Sequence, residues 1–266
     1  MDFIKKIDYY DNLLENIKEL ADNNKVLIVQ NIPDQVATDD FYIKIGNAIG
    51  LLIRKGFNPF TGELTDESWE NIEYRKEHVY HTYKYSNKRH SLHTDFCDSS
   101  VPLDYVYLIC REQAELGGET VFIDSNDLID ILQKYEPKLL KDIQKHDVIF
   151  GTKPSPIFRH TGKILSFDDD GEAILKWNYH VIAKENIPEV IEIAERFHEF
   201  LDTFLFNTFI LKGQKLKKNE FVIMQDHKVL HGRNSYFGYR HMYKAAISAS
   251  NIEKVKQKLN ELNLSI

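Results

Sequence analysis

Two short segments of the chain contain residues whose types and spacing could do chemistry. His93 and Asp95 stand two positions apart in the first segment, and His231 lies in the second. Two imidazoles and one carboxylate form a ligand set that holds one face of an iron(II) ion and leaves the opposite face open to substrate and oxygen. The sequence therefore predicts a catalytic metal site rather than a closed structural one.

Strand geometry would let the first segment supply two ligands to one ion. The segment leads into the apolar run Tyr105–Cys110, which is typical of a strand. On a strand, positions i and i+2 project from the same face, so His93 and Asp95 can reach the same ion. A surface strand end, where these two side chains only bond to each other, would leave the same pattern.

The second segment strengthens the metal-site interpretation. The stretch Glu220–Gln225 predicts a mostly buried strand, and a short turn separates it from the returning residues that end at His231. Downstream, residues 239–247 alternate in the manner of another strand. Arg240 and Lys244 are four positions apart on it, so both cations are expected to share one face and to point into the same pocket.

Four short motifs follow one another in the order that a known oxygenase family has them. They are His93-Thr94-Asp95, Gly117-Gly118-Glu119-Thr120, His231-Gly232-Arg233 and Arg240. Over about residues 80–249 the chain resembles the iron(II)- and 2-oxoglutarate-dependent oxygenases of the taurine dioxygenase, γ-butyrobetaine hydroxylase and clavaminate synthase-like group. The resemblance implies a mainly β fold with flanking helices, a double-stranded β-helix or jelly roll, as a single domain over residues 1–266. It also implies iron held by His93, Asp95 and His231.

By the same resemblance, Thr120 and Arg240 would bind the far carboxylate of 2-oxoglutarate. A guanidinium meets a carboxylate with two parallel hydrogen bonds, and a threonine hydroxyl adds a donor. Arg233 has two possible roles, which are contact with the keto acid end of the cosubstrate or a salt bridge that braces its strand. Lys244 stands where some relatives have a second arginine for acidic substrates, and a lysine cannot reproduce bidentate recognition there.

The resemblance implies a reaction that consumes oxygen and 2-oxoglutarate and releases succinate and carbon dioxide. An unactivated C–H bond of a small-molecule substrate would be hydroxylated, desaturated or cyclised, and the sequence does not choose among these outcomes. Because relatives that halogenate carbon lack the carboxylate, Asp95 disfavours halogenation. Relatives act on amino acids, sulfonates, betaines and secondary metabolites, and we expect a small amino-acid-like substrate. Candidate pocket residues are Tyr83, Tyr85, Arg159, Trp177 and Lys244. Residues such as the first four more often have a packing or surface role, and Arg159 is the candidate anchor for a carboxylate or sulfonate of the substrate.

Two other classes of function use the same residues. The barrel could bind a metal and an anion as a sensor or scaffold without turnover. The three ligands could also hold zinc in a hydrolase, which would work without oxygen. Neither alternative calls for the whole set of motifs, and a zinc hydrolase gives no reason for Thr120 and Arg240.

Composition limits the class of protein. With 266 residues, 42% of them hydrophobic and 12% aromatic, the chain can bury the core of one domain. The net charge of −7 and the pI near 5.9 argue against nucleic acid as a partner. Two cysteines are too few for a disulfide scaffold, and we expect Cys97 to be a buried thiol rather than a ligand. The start lacks the apolar core of a signal peptide and no run is apolar enough to span a membrane, so we expect a cytoplasmic protein.

Apolar spacing predicts helices around this barrel. The N-terminal part, about 1–50, should be helical decoration, with one helix over Ile7–Leu20, a short strand at Val26–Val29, and a second helix from a Thr38 cap to Ile49. Further helices are expected over 125–143, with Ser125 as cap, over 189–211, and over 251–264.

Three connecting segments have distinct compositions. The polar stretch 57–77 is long for a connection, and we predict an active-site lid or a disordered loop there. The acidic run Asp168–Gly171 resembles a calcium loop but lacks the alternating oxygen ligands, which favours a hairpin turn. Residues 212–218 predict a solvated basic turn.

Overall fold

The computed structural model describes residues 3–54, 67–80, 82–101, 103–152, 158–208, 210–250 and 252–261. The strands in this part are β1 Ile4–Asp8, β2 Val26–Gln30, β3 Leu51–Ile53, β4 Glu70–Glu73, β5 His90–His93, β6 Tyr105–Glu112, β7 Leu116–Gly117, β8 Thr120–Asp124, β9 Asp147–Phe150, β10 His160–Lys163, β11 Leu165–Phe167, β12 Ala173–Leu175, β13 Lys212–Gln214, β14 Phe221–Gln225, β15 Val229–Arg233, β16 Tyr236–Phe237 and β17 His241–Ser248. The α-helices are α1 Leu13–Asp22, α2 Asp39–Ile49, α3 Ser125–Tyr135, α4 Pro137–Lys145, α5 Pro188–Glu199 and α6 Ile252–Glu261.

Two sheets form the body of the fold. The larger has the order β1-β2-β14-β6-β17-β3, with β4 also paired to β17, and the smaller has the order β13-β8-β15-β5. Phe122 and Val229 of the smaller sheet share one buried cluster with Val106, Met224 and Met242 of the larger sheet. The two sheets therefore face each other across an apolar core. This mainly β arrangement with flanking helices is the expected jelly roll.

Helices cover the outer faces of both sheets, as strand alternation requires. In β8, Phe122 points between the sheets while Val121 and Ile123 join the cluster that contains α3, α4 and α5. On the larger sheet, Tyr107 and Phe221 pack against α1 and α2. The side chains on the inner faces of the two sheets therefore line the space between them.

The N-terminal helix prediction was wrong in its first turn. Residues Ile4–Asp8 form β1, which pairs in parallel with β2, and α1 begins only at Leu13. Ile7 lies opposite Val29 in this pairing, so its apolar side chain packs as part of a sheet edge rather than of a helix. The helix over Asp39–Ile49 is confirmed, and the Thr38 hydroxyl accepts a hydrogen bond from the Phe41 amide at 3.2 Å.

Two other predicted helices are shorter than the sequence suggested. Pro137 divides the expected 125–143 helix into α3 and α4, because a proline lacks the N–H and restricts the residue before it. The cap of α3 is Asp124 and not Ser125, since the Asp124 carboxylate accepts from the Asn126 amide at 2.8 Å. The expected 189–211 helix is α5 followed by a π-helical stretch over Phe200–Leu205.

The connecting segments gave mixed outcomes. Asp168–Gly171 is a hairpin turn between β11 and β12 as predicted, with Gly171 at φ +80°. The predicted basic turn begins instead with β13, which pairs with β8. Residues 57–66 of the predicted lid lie outside the described part, and in the remainder Trp69 is buried and β4 pairs with β17. The lid remains a prediction.

Candidate metal and cosubstrate site

Sheet pairing brings the two candidate histidine ligands together. His93 at the end of β5 is the direct partner of His231 on the antiparallel strand β15, and their ring centroids are 4.4 Å apart. Their neighbours Leu92 and Leu230 point to the helices on the outer face. Both imidazoles therefore face the space between the sheets.

Asp95 completes a three-residue cluster. Its Oδ1 lies 3.7 Å from Nε2 of His93, and its Oδ2 lies 3.5 Å from Nε2 of His231. One ligand atom from each residue lies within 4.8 Å of the others. Nδ1 of His93 donates a hydrogen bond to the Ser91 carbonyl at 2.8 Å, which leaves Nε2 as the atom with the free lone pair. This donor set and spacing fit a single divalent ion.

Asp226 fixes the backbone of the Asp95 segment. Its carboxylate accepts from the amides of Asp95 at 2.8 Å and Phe96 at 3.0 Å, and its side chain is fully buried. On the other side of the segment, the Thr94 hydroxyl accepts from the Trp177 amide at 3.0 Å. In the sequence Asp226 belongs only to the short turn after Gln225, and no local pattern marks it as part of the site, because the amides that it contacts lie in a distant segment.

The Lys244 ammonium is the counter-ion of Asp95. Its Nζ lies 2.6 Å from Oδ1 of Asp95 and 3.9 Å from Oε2 of Glu70, which is its direct partner on β4. Burial alone would raise the pKa of Asp95, but Lys244 and the hydrogen bonds of His231 and His93 hold it well below its usual range. Burial likewise opposes the charge on Lys244, and Asp95 and Glu70 outweigh it and raise its pKa.

Burial favours the neutral form of His93 and of its neighbour His90. Burial, followed by the proximity of His231, lowers the pKa of His93. Burial and the neighbouring His93 and Arg233 lower the pKa of His90 well below its usual value. Because a neutral imidazole is the form that binds metal, His93 needs no deprotonation at neutral pH.

A cavity of about 320 Å³ opens over these groups. It is lined by Glu70, Ile72, Thr82, Tyr83, Lys84, His90, His93, Asp95, Leu108, Thr120, Asn178, His180, His231, Gly232, Arg233, Arg240 and Lys244. The space is therefore bordered by both sheets, and most of its lining residues have polar or charged side chains.

Arg240 is a buried cation at this cavity without a described counter-ion. It is 4% exposed, its Nε has no hydrogen-bond partner, and it forms no ion pair with any residue that the structure describes. Burial lowers its pKa. Thr120, also 4% exposed, lines the same cavity. Because an unpaired buried charge is costly, this end of the cavity suits an anion.

The Gly-Gly turn lets the backbone pass close to Arg240. Gly117 and Gly118 have φ +70° and +76°, which favour glycine. A Cβ on Gly117 would lie 2.2 Å from the Ser235 carbonyl oxygen, and one on Gly118 would lie 3.4 Å from Cδ of Arg240. The turn therefore shapes the surroundings of the guanidinium as well as the hairpin.

Arg233 braces the site through backbone carbonyls. Its Nη2 donates to the carbonyl oxygens of Ser86 and Lys88, each at 2.7 Å. Burial, followed by the charge of Arg240, lowers its pKa to about 10. The contact joins β15 to the segment before β5, and no salt bridge to a described residue is involved.

The remaining predicted pocket residues divide into two groups. Tyr83 lines the cavity and stacks on His90 at 4.7 Å between ring centroids. Tyr85 is buried beside the Arg75 guanidinium, Trp177 lies in the core against Phe197, and Arg159 pairs with Glu185 at 2.6 Å, so these three lie outside the described lining. Six lining residues with polar side chains were not predicted from the sequence: Glu70, Thr82, Lys84, His90, Asn178 and His180.

Solved structures share this architecture. A putative α-ketoglutarate-dependent 2,4-D dioxygenase from Burkholderia xenovorans is 16% identical, with a TM-score of 0.61 over 92% of this chain and 93% of that chain. An asparagine oxygenase complex with Fe(II), 3-hydroxyasparagine and succinate is 10% identical, with a TM-score of 0.66 over 91% and 80%. The non-heme iron oxygenase OrfP with Fe and α-ketoglutaric acid is 12% identical, with a TM-score of 0.61 over 92% and 86%. At these identities the likeness establishes the fold.

Sequence comparison identifies the family. No curated protein matches the chain significantly. The family model described as taurine catabolism dioxygenase TauD, TfdA family, matches residues 3–246, which is most of the chain. The chain therefore belongs to the TauD/TfdA family of dioxygenases, which are oxidoreductases.

Proposed function

We propose that this dioxygenase uses iron(II), 2-oxoglutarate and oxygen to oxidise an unactivated C–H bond of a small, amino-acid-like substrate, with release of succinate and carbon dioxide. The observation that carries the proposal is the meeting of two features in one cavity. The His93, Asp95 and His231 cluster lies on its wall, and so does the buried Arg240, which has no ion-pair partner among the described residues.

The three-residue cluster would hold the iron. His93 and His231 each present Nε2 to the Asp95 carboxylate, and Lys244 keeps that carboxylate ionised. Three ligands on one side leave coordination positions for a chelating cosubstrate and for oxygen. When bound, iron(II) with 2-oxoglutarate would activate oxygen: conversion of 2-oxoglutarate to succinate and carbon dioxide would supply two of the electrons that reduce O2, and oxidation of the substrate C–H bond would supply the other two.

Arg240 and Thr120 would bind the far carboxylate of 2-oxoglutarate. The guanidinium has unused donors and no described counter-ion, and the threonine hydroxyl lies in the same lining. A bound dicarboxylate would supply the charge that the buried arginine lacks. Arg233, whose Nη2 is already bonded to two carbonyls, is better suited to bracing than to cosubstrate binding.

Several observations support the amino-acid-like substrate. The asparagine oxygenase and OrfP structures contain 3-hydroxyasparagine and (3S)-hydroxy-L-Arg. The cavity of this chain carries both cationic and anionic side chains around a small volume.

Among the described residues no helix is long and apolar enough to cross a membrane. We further place the protein in the cytoplasm, where reduced iron is available.

Succinate formation tests the proposal. Anaerobically purified protein would receive iron(II), 2-oxoglutarate and ascorbate, then oxygen, beside His93→Ala and Arg240→Ala variants. We expect the wild type to release succinate slowly and His93→Ala to release none. Arg240→Ala should need a higher concentration of 2-oxoglutarate for the same rate. Addition of the right member of a panel of free amino acids should stimulate succinate release. Absence of succinate from the wild type with iron bound would favour the sensor or scaffold, and turnover of a hydrolysable substrate without oxygen would favour the zinc hydrolase.

A further inference from the structure

The charged groups around the cavity are unequal in number. The cationic side chains in the lining are Lys84, Arg233, Arg240 and Lys244, and the anionic ones are Glu70 and Asp95. The lining therefore has two cations in excess before iron and 2-oxoglutarate are counted. Since these two carry opposite charges of equal size, their binding together leaves the excess in place, and an anionic substrate would offset it.

Two of the four cations have partners in the structure, and the proposed function assigns a partner to a third. Lys244 is bonded to Asp95 at 2.6 Å, and Arg233 donates to two backbone carbonyls. Arg240 is assigned to 2-oxoglutarate by the proposed function. The family resemblance placed recognition of an acidic substrate at Lys244. In the structure this ammonium is instead bonded to Asp95, a candidate metal ligand.

Lys84 is the cation that has donors to spare. It lies in the 3₁₀ turn Tyr83–Tyr85 with its side chain 11% exposed, and its Nζ is buried without a hydrogen-bond partner among the residues described. Its nearest described carboxylate oxygen is Oε1 of Glu70, at 3.4 Å. Charge-assisted hydrogen bonds are shorter, about 2.7–2.9 Å. Glu70 therefore orients the ammonium without using its donors.

We infer that Lys84 is the anchor for a carboxylate of the substrate, and that Glu70 is a positioning residue for it. The inference rests on the proposed function, because it takes the same cavity to be the substrate site. A substrate carboxylate at Lys84 would place the rest of a small molecule in the cavity that His93, Asp95 and His231 border. Specificity for an acidic group would then come from the segment before β5 rather than from β17.

Calorimetric titration with butanoate tests the inference. The protein is held anaerobically with iron(II) and 2-oxoglutarate, and butanoate is compared with its neutral counterpart butanamide. We expect butanoate to bind more tightly than butanamide, and Lys84→Met to weaken butanoate at least ~10-fold, as loss of a charged hydrogen bond does. Lys84→Arg should retain most of the affinity.

Lys88→Met is the matched control, because Lys88 lies on the same segment and its ammonium contacts the Tyr80 ring outside the described cavity lining. Equal affinity for butanoate and butanamide, or unchanged butanoate binding in Lys84→Met, would overturn the inference. Failure of 2-oxoglutarate to bind the iron-loaded protein in the same calorimeter would instead count against the proposed function. The butanoate comparison between wild type and Lys84→Met then still decides the role of Lys84.

Discussion

The Lys244 ammonium lies 2.6 Å from Oδ1 of Asp95, a candidate iron ligand, and both side chains are largely removed from water. A buried charge that loses its partner is costly, whereas replacing both members of a pair is often nearly neutral. Lys244 therefore balances the negative charge of Asp95 in the candidate ligand cluster before any metal binds.

A double-mutant cycle measures this relationship. We expect Lys244→Met to lower the free energy of unfolding of the metal-free protein by about 3 kcal/mol, and the coupling with Asp95→Asn to be at least about 1 kcal/mol. Urea unfolding of the four proteins gives both values. Lys138→Met, which breaks an exposed pair with Asp142, should cost about 0.5 kcal/mol or less. Additive effects of the two site substitutions would show that Lys244 is not the counter-ion of Asp95.

Asp226→Asn should weaken iron binding. An asparagine presents one acceptor oxygen and one NH₂ group where the Asp95 and Phe96 amides both donate, so one buried N–H would lose its partner. Because such outer contacts orient metal ligands, we expect a loss of iron affinity of about 10–100-fold, measured by anaerobic titration. Asp169→Asn, in the exposed hairpin turn, is the control. If a folded Asp226→Asn protein binds iron as tightly as the wild type, Asp226 does not help to position the iron ligands.

Sequence reasoning identified the three residues of the candidate ligand cluster because its parts follow local rules. A two-residue spacing puts His93 and Asp95 within reach of one ion, and the family motifs supplied His231, Thr120 and Arg240. The jelly roll was implied by the family resemblance, and strand alternation supported only individual strands. The ends of helices were predicted less well from the sequence. Pro137 ended one predicted helix early, and the pairing of β1 with β2 replaced the start of another, although the spacing of apolar residues favoured a helix in both places.

The residues that sequence reasoning missed are brought to the cavity by long-range pairing. Glu70 reaches it only because β4 pairs with β17, opposite Lys244. Lys84 is in a 3₁₀ turn that apolar periodicity does not register, and Asp226 contacts amides more than a hundred residues away. No short motif records such contacts, so a single sequence gives no signal for them.

Gly118→Ala should impair 2-oxoglutarate binding more than it impairs folding. Gly118 has φ +76°, and the new Cβ would crowd Oε1 of Gln113 at 3.0 Å and contact Cδ of Arg240 at 3.4 Å. Gly171→Ala is a matched control, because Gly171 has φ +80° with open space around it and incurs the backbone cost alone, about 1–2 kcal/mol. We expect a several-fold higher KM for 2-oxoglutarate in Gly118→Ala only. An equal KM for 2-oxoglutarate in both variants would show that the Gly-Gly turn does not affect cosubstrate binding.

Asp98→Asn should stabilise the protein at alkaline pH. Burial, followed by the proximity of Asp95 and Asp226, raises the pKa of Asp98 to about 6, and Lys244 only partly offsets this. Because the folded state holds this proton more tightly than the unfolded state, the group reduces stability as pH rises from about 4 to about 6, and the cost persists above that range. The amide cannot ionise, so urea unfolding of the metal-free proteins at pH 5 and pH 8 should show a gain of about 1–2 kcal/mol that is larger at pH 8. A gain of the same size at both pH values would mean that packing, and not the buried charge, sets the difference.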